Sequence, residues 1–153
     1  MAVGDGSSIQ LLRQGPIDTF VSSAAINGEG GKILTSADVD LNGRLDLIVS
    51  GGSSTRVWLQ QTNGSFVQAP AIPFASDRAV PIDLNGDALD DLMLFTASGS
   101  RVAIQINPGI FVENPVLATS GVFADDVIDV DGDGELDVGK AVGTTVQVRF
   151  GGR

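Results

Sequence analysis

The chain contains no cysteine, no histidine and no tyrosine. Without cysteine there is no disulfide framework, and the redox compartment stays open. Without histidine or cysteine, Ser-His-Asp and Cys-His catalysis are excluded, along with most zinc, copper and haem sites. Basic residues are scarce: nine Lys and Arg stand against nineteen Asp and Glu, a net charge of −10. Nucleic acid and anionic lipid both need clustered Lys and Arg, so neither is expected as a partner. No apolar run is long enough to cross a bilayer as a helix, so no membrane insertion is expected. Met1 to Gln14 has no basic region followed by an apolar stretch, so no signal peptide is expected. Aromatic residues are few, with Trp58 the one tryptophan. What is present, 42% hydrophobic residues over 153 positions, suffices for one domain with its own core.

The acidity is concentrated. Twelve of the nineteen acidic residues fall in three short loops, so the charge is local and repeated. The first loop carries Asp38, Asp40, Asn42, Gly43 and Asp46; the second Asp83, Asn85, Asp87, Ala88 and Asp91; the third Asp129, Asp131, Asp133, Gly134 and Asp137. Successive loops start 45 and 46 residues apart, a period that marks a repeat architecture. Each places an oxygen-bearing side chain at its first, third, fifth and ninth positions. Alternate residues of a tight loop can point inward together, and carboxylates without His or Cys form a hard, oxygen-only site that suits Ca²⁺. The carbonyl of the seventh residue, Arg44, Leu89 or Glu135, is expected to complete each cage, and glycine at the sixth position lets the backbone turn sharply. Up to three Ca²⁺ ions are expected, moving the formal charge from −10 to −4. The third loop, with four Asp and its Gly, is expected to bind most tightly; the second has Ala88 where the others have Gly.

Two rival readings apply to these loops. An EF-hand needs a bidentate Glu at the twelfth position; those positions are Val49, Leu94 and Lys140, so the EF-hand is rejected. Asp-Asn-Gly clusters also form turns by themselves, with no ion. Three loops in register, each with a ninth-position Asp ahead of an apolar run, favour the metal reading over simple turns.

Between the loops, short β-rich runs alternate with Gly-, Asn- and Pro-containing turns, and no stretch shows helical periodicity. Leu45–Ser50, Thr55–Gln60 and Ser65–Gln68 read as strands, as do Leu92–Phe95, Arg101–Ile106, Phe111–Asn114, Leu136–Val142 and Thr145–Phe150. Lys32–Thr35 and Arg78–Pro81 read as strands leading into a loop. Ala2–Leu12 matches the stretch after a loop, and Thr19–Ser22 the strands at Phe66 and Phe111. The order is one strand before each loop and three after it. The expected fold is all-β, a β-propeller-type repeat of four-stranded antiparallel blades, about three and a half in this chain. Residues 1–153 form one domain: a partial blade 1–32, blades 33–77 and 78–121, and a partial blade 122–153. Trp58, Phe66 and Phe111 are expected in blade packing. Arg44, Arg56, Arg78 and Arg101 are expected to be solvated or paired with acids, and Asp125-Asp126 to be a polar turn.

These segments resemble the FG-GAP/VCBS repeats, the blades of the integrin alpha-subunit propeller. The resemblance rests on Asp-x-Asp/Asn-x-Asp/Asn-Gly-x-x-Asp-Leu followed by an apolar strand, at Asp38–Leu47, Asp83–Leu92 and Asp129–Val138. The chain departs from that family's Gly-Ala-Pro element, with Ser50-Gly51-Gly52 and Thr96-Ala97-Ser98 in its place. The resemblance implies a non-enzymatic, calcium-stabilised module for protein binding or cell adhesion in an extracellular or cell-surface setting. A carbohydrate-binding propeller is the alternative, so the ligand is a protein or a glycan. Incomplete first and last units lead to the expectation of a homodimer through the end blades, with a compact monomer of four blades, two of them three-stranded, as the alternative.

Overall fold

A computed structural model describes residues 2–4, 8–17, 19–27, 33–51, 53–97, 99–113, 119–120, 126–133, 137–142 and 144–149. The described residues are all-β, with no helix. The strands are β1 (Ala2–Gly4), β2 (Ser8–Gln14), β3 (Phe20–Asn27), β4 (Ile33–Ala37), β5 (Asp46–Ser50), β6 (Arg56–Gln60), β7 (Phe66–Gln68), β8 (Arg78–Ile82), β9 (Asp91–Thr96), β10 (Gly99–Asn107), β11 (Ile110–Glu113), β12 (Thr119–Ser120), β13 (Asp126–Ile128), β14 (Asp137–Val142) and β15 (Thr145–Arg149). They form four open antiparallel sheets in the orders β1-β2-β3, β4-β5-β6-β7, β11-β10-β9-β8 and β13-β14-β15. Every neighbour along these paths is also a neighbour in sequence, so each sheet is a meander that hairpins alone can build.

β12 was not foreseen. It pairs with β10 at Gly99 and Ser100, while β11 pairs with the same strand from Ala103 to Asn107. Because β9 holds the other edge of β10 from Gly99 to Ala103, β11 and β12 share one edge end to end. β10, at nine residues, is long enough to take both. Asp126 opens β13 rather than lying in a turn, and Asp125 lies outside the described residues.

The core is sorted by the two-residue period of the strands. All five residues of β5 are buried. Leu47 and Val49 join Ile9 and Ile26 of the first sheet, with Trp58 and Phe66 packed alongside. Ile48 points the other way, joining Val57, Leu92, Leu94 and Ala103, with Phe111 against them. β9 divides likewise: Leu92 and Leu94 lie in that shared cluster, whereas Met93 and Phe95 cluster with Ile82 and Val102. The second sheet is thus packed between the first and the third, and the third buries apolar residues on both of its faces, which is why their second strands are apolar at successive positions instead of alternating. Trp58, Phe66 and Phe111 take the packing roles expected of them.

The connection from β7 to β8 ties the two central sheets. Ile72 bridges Thr55, and Gly51 N–H donates to the Ser76 carbonyl at 2.7 Å. Three buried hydroxyls close this end: Thr55 and Ser76 lie 2.7 Å apart, and Ser76 donates to Ser50 at 3.1 Å. The first strands of the two sheets meet where Thr35 Oγ1 donates to the Ala79 carbonyl at 3.0 Å. Arg101 pairs with Glu113 at 2.7 Å and lies over Phe74, while Arg78 lies over Phe95.

Candidate metal centre

Each acidic loop joins the first strand of a sheet to the second: β4 to β5, β8 to β9, and β13 to β14. The loops fold by the same hydrogen bonds. The first-position carboxylate accepts backbone N–H groups of the turn it heads. Asp38 takes Asn42 N–H at 2.9 Å and Gly43 N–H at 2.8 Å. Asp83 takes Gly86 and Ala88 N–H, each at 2.8 Å, and Asp129 takes Gly132 N–H at 2.6 Å. The third- and fifth-position oxygens accept from the residue two further on: Asp40 from Asn42, Asn42 from Arg44, Asn85 from Asp87, Asp87 from Leu89 and Asp131 from Asp133. Asp, Asn and short turns make this pattern locally, which is why it is legible in the sequence.

The ninth-position aspartates differ from the rest. Asp46, Asp91 and Asp137 have 0% exposure. Asp46 Oδ2 accepts from Val39 N–H at 2.8 Å and Asp40 N–H at 3.3 Å, and its Oδ1 accepts from Gln60 N–H at 2.7 Å. Asp91 repeats this with Leu84 N–H at 3.1 Å and Gln105 N–H at 2.8 Å, and Asp137 accepts from Val130 N–H at 2.7 Å. These residues therefore fasten the start of each loop to the top of the sheet. Asn42 strengthens the first junction, its Nδ2 donating to the Gln60 carbonyl at 3.0 Å.

Two carboxylate triads can hold a metal ion. Asp38, Asp40 and Asp46 each bring an oxygen within 4.8 Å of the others, and so do Asp129, Asp131 and Asp137. Two ligands on one coordination sphere lie at most twice the metal–oxygen distance apart, about 4.6–5.2 Å for Ca²⁺. Both triads meet that limit, and their all-oxygen donor set suits a hard divalent cation. Among the described residues the second loop forms no such triad. There Asn85 stands where the other loops have Asp, and its Nδ2 donates to Asp87 Oδ2 at 3.1 Å, so an internal N–H occupies part of the fifth residue's carboxylate. Asp133 lies outside the third loop's triad, and Glu135 outside the described residues. For Arg44, the side chain turns back onto the Asn42 carbonyl at 3.2 Å.

The electrostatics follow from burial and crowding. Burial pushes the Asp46 carboxyl above its usual range; the N–H groups of Gln60 and Val39 pull it back, and Asp40 repels it further. Asp91 is raised by burial, against the N–H groups of Gln105 and Leu84, with Asp87 and Asp83 adding repulsion. Asp131 is raised by loss of water first, then by Asp133, Asp137 and Asp129. Asp90 is raised by burial and by two carboxylates, Asp83 of its own loop and Asp38 of the first. Asp83 is lowered, chiefly by the Ala88 N–H. A cation in the first triad would offset the repulsion that adds to burial at Asp46, and one in the other triad the repulsion at Asp131.

Three features were not read from the sequence. One is the fourth loop position, where Leu41, Gly86 and Gly132 all have positive φ, at 57°, 76° and 77°. The others are Gln60 and Gln105, whose backbone N–H groups donate to the ninth-position carboxylates of Asp46 and Asp91. The available signal was their spacing, since each follows its aspartate by fourteen residues. Beside the first loop lies a cleft of about 890 Å³, between β2 and the second sheet, with Gly43 and Arg44 on its wall. Compared with known proteins, the chain matches no family model, no curated protein and no solved structure.

Proposed function

We propose that the chain is a non-enzymatic, calcium-binding β-propeller module for protein binding or adhesion. The observation that carries this reading is the pair of carboxylate triads at equivalent strand junctions of separate sheets. In it, Ca²⁺ neutralises the loop that joins the first and second strands and does no chemistry of its own. Asp38, Asp40 and Asp46 hold one ion, and Asp129, Asp131 and Asp137 another. The second loop, with Asn85 and Ala88, is the weakest site.

Support for the propeller is architectural. The sheets are meanders, the second packs between the first and the third, and the first strands of the second and third touch through Thr35 and Ala79. Propeller blades are likewise four-stranded antiparallel sheets set beside one another. Protein binding is favoured over glycan binding because Trp58, the one indole available for a sugar platform, packs against the cluster between the first two sheets. The first loop also borders the cleft beside β2, so an ion that stiffens the loop fixes one wall of that surface. Millimolar extracellular Ca²⁺ would fill even weak sites of this type.

The test is calorimetric titration of the metal-free chain with CaCl₂. At least two sites are expected, with Asp40→Ala removing one and Asp131→Ala the other. Absence of any binding heat at millimolar Ca²⁺, with neither variant differing from the parent, overturns the reading.

A further inference from the structure

The first two acidic loops are joined by a buried run of hydrogen bonds, and Gln105 is its hub. Gln105 lies near the end of β10 with 0% exposure. Its backbone N–H donates to Asp91 Oδ1, at the foot of the second loop, at 2.8 Å. Its side chain leaves its own sheet: Nε2 donates to the Val39 carbonyl, in the first loop, at 2.7 Å. That carbonyl belongs to the peptide unit whose N–H, on Asp40, donates to Asp46 Oδ2 at 3.3 Å. The Val39–Asp40 peptide is therefore gripped at both ends, by Gln105 on its oxygen and by Asp46 on its N–H. Both acids that flank this grip, Asp40 and Asp46, belong to the first triad. Hydrogen bonds on opposite sides of one peptide polarise each other in the same sense.

A second observation separates this contact from ordinary packing. The other amide atom, Gln105 Oε1, is buried without a hydrogen-bond partner. A methionine of similar length would bury there with no orphaned acceptor, so what the glutamine adds to the site is the bond to Val39.

We infer that Gln105 is a positioning residue for the first acidic loop, reaching from the neighbouring sheet to hold Asp40 and Asp46 in the arrangement that receives a divalent cation. This rests on the cation-binding reading of the loops. Residues that orient metal ligands from outside the coordination sphere act in this way, and their loss weakens binding without removing a ligand. Binding in the first loop is then coupled to the packing of β10, and the coupling is reciprocal.

The experiment is a Ca²⁺ titration of the full chain followed by amide NMR, with Gly43 reporting on the first loop and Gly132 on the third. Each glycine N–H is bonded to the first aspartate of its own loop, so each responds to its own site. Gln105→Met keeps the volume and removes the donor. Its Ca²⁺ affinity at Gly43 is expected to fall about tenfold, with the affinity at Gly132 unchanged. Equal affinity at Gly43 in the parent and the variant overturns the inference and leaves cation binding standing. Equal loss at both glycines also overturns it, because the effect is then general destabilisation. No Ca²⁺-dependent shift at either glycine of the parent overturns the inference together with the cation reading. Should Gln105→Met not fold, Gln105→Asn, one methylene short of Val39, is expected to show the same loss confined to Gly43.

Discussion

Leu41 and Ala88 hold backbone conformations that glycine holds at the matching positions of the other loops. Their φ values are 57° and 67°, against 76° at Gly86 for the fourth position and 80° at Gly43 for the sixth. An L-residue in this region costs roughly 1–2 kcal/mol, while glycine costs about 0.5–1 kcal/mol in the extra chain entropy lost on folding. A Cβ built on Gly43 or Gly86 meets nothing within 4 Å, so dihedral strain alone decides the balance. Leu41→Gly and Ala88→Gly are therefore expected to stabilise the chain by about 0.5–1 kcal/mol in urea unfolding, and Gly43→Ala to destabilise it by a similar amount. The ninth-position aspartates act in the opposite direction. Removing the Asp46 carboxylate leaves the Val39 and Gln60 N–H groups without their acceptor, at roughly 1–3 kcal/mol for each buried group. Asp46→Ala is expected to destabilise the metal-free chain by about 2–4 kcal/mol. Asp133 is exposed rather than buried, so Asp133→Ala should cost the metal-free chain less than Asp46→Ala.

The loops and the strands they join respond to pH through the same carboxylates. Asp46, Asp90, Asp91 and Asp131 have folded-state pKa values raised above the ordinary 3.8, and Asp83 has one that is lowered. A raised carboxyl binds its proton more tightly in the folded state. Its stabilising contribution is complete below about pH 3.8 and fades as pH rises through the folded value. Asp83 behaves oppositely, and its contribution is lost as pH falls from 3.8 through its own lower value. The metal-free chain is therefore expected to melt at a higher temperature near pH 4–5 than at pH 7, and to weaken again in stronger acid. In millimolar Ca²⁺ the rise on acidification should disappear or reverse, because protons and cation compete for one set of oxygens. Melting curves in EDTA that fall steadily from pH 7 to pH 4 would contradict this. The strands below the loops carry most of the apolar burial. Ile48→Ala, in the cluster shared by the second and third sheets, is expected to cost about 2–5 kcal/mol at any pH.

For the whole molecule, a net charge of −10 opposes the compact state, and most of it is gathered where the sheets meet their loops. A ligand that binds only the folded form adds RT ln(1 + [L]/Kd), about 2.7 kcal/mol per site at a hundredfold excess over Kd. In a chain of this size that raises the melting temperature by roughly 5–10 °C per filled site. Millimolar Ca²⁺ against EDTA is the measurement, and identical melting temperatures would exclude a metal role for both triads. The two-sided burial of the central sheets adds an expectation about cooperativity. The cluster centred on Ile48 and Leu92 draws on two sheets, so those sheets should unfold in one transition whether or not the ion is bound.

The sequence by itself determined the all-β class, the places of most strands and the local folding of the acidic loops. Each of these depends on near neighbours: alternation along a strand, a turn closed by Asp, Asn or Gly, a carboxylate capping N–H groups a few residues away. The tertiary structure decided the rest, because it depends on what a distant segment brings. Asp46 and Asp91 read as ligands from spacing, yet burial and the N–H groups of Gln60 and Gln105 make them fasteners of the loop, and only Asp46 falls in a triad. The sequence marked the second loop apart by Ala88, and only the fold adds that Asn85 turns its amide onto Asp87. β12 had no periodic signal in two residues, and it exists because β10 outruns β11. Gln105 reaches Val39 across 66 residues of sequence, a distance over which no local pattern operates and only the stacking of one sheet on the next brings donor to acceptor.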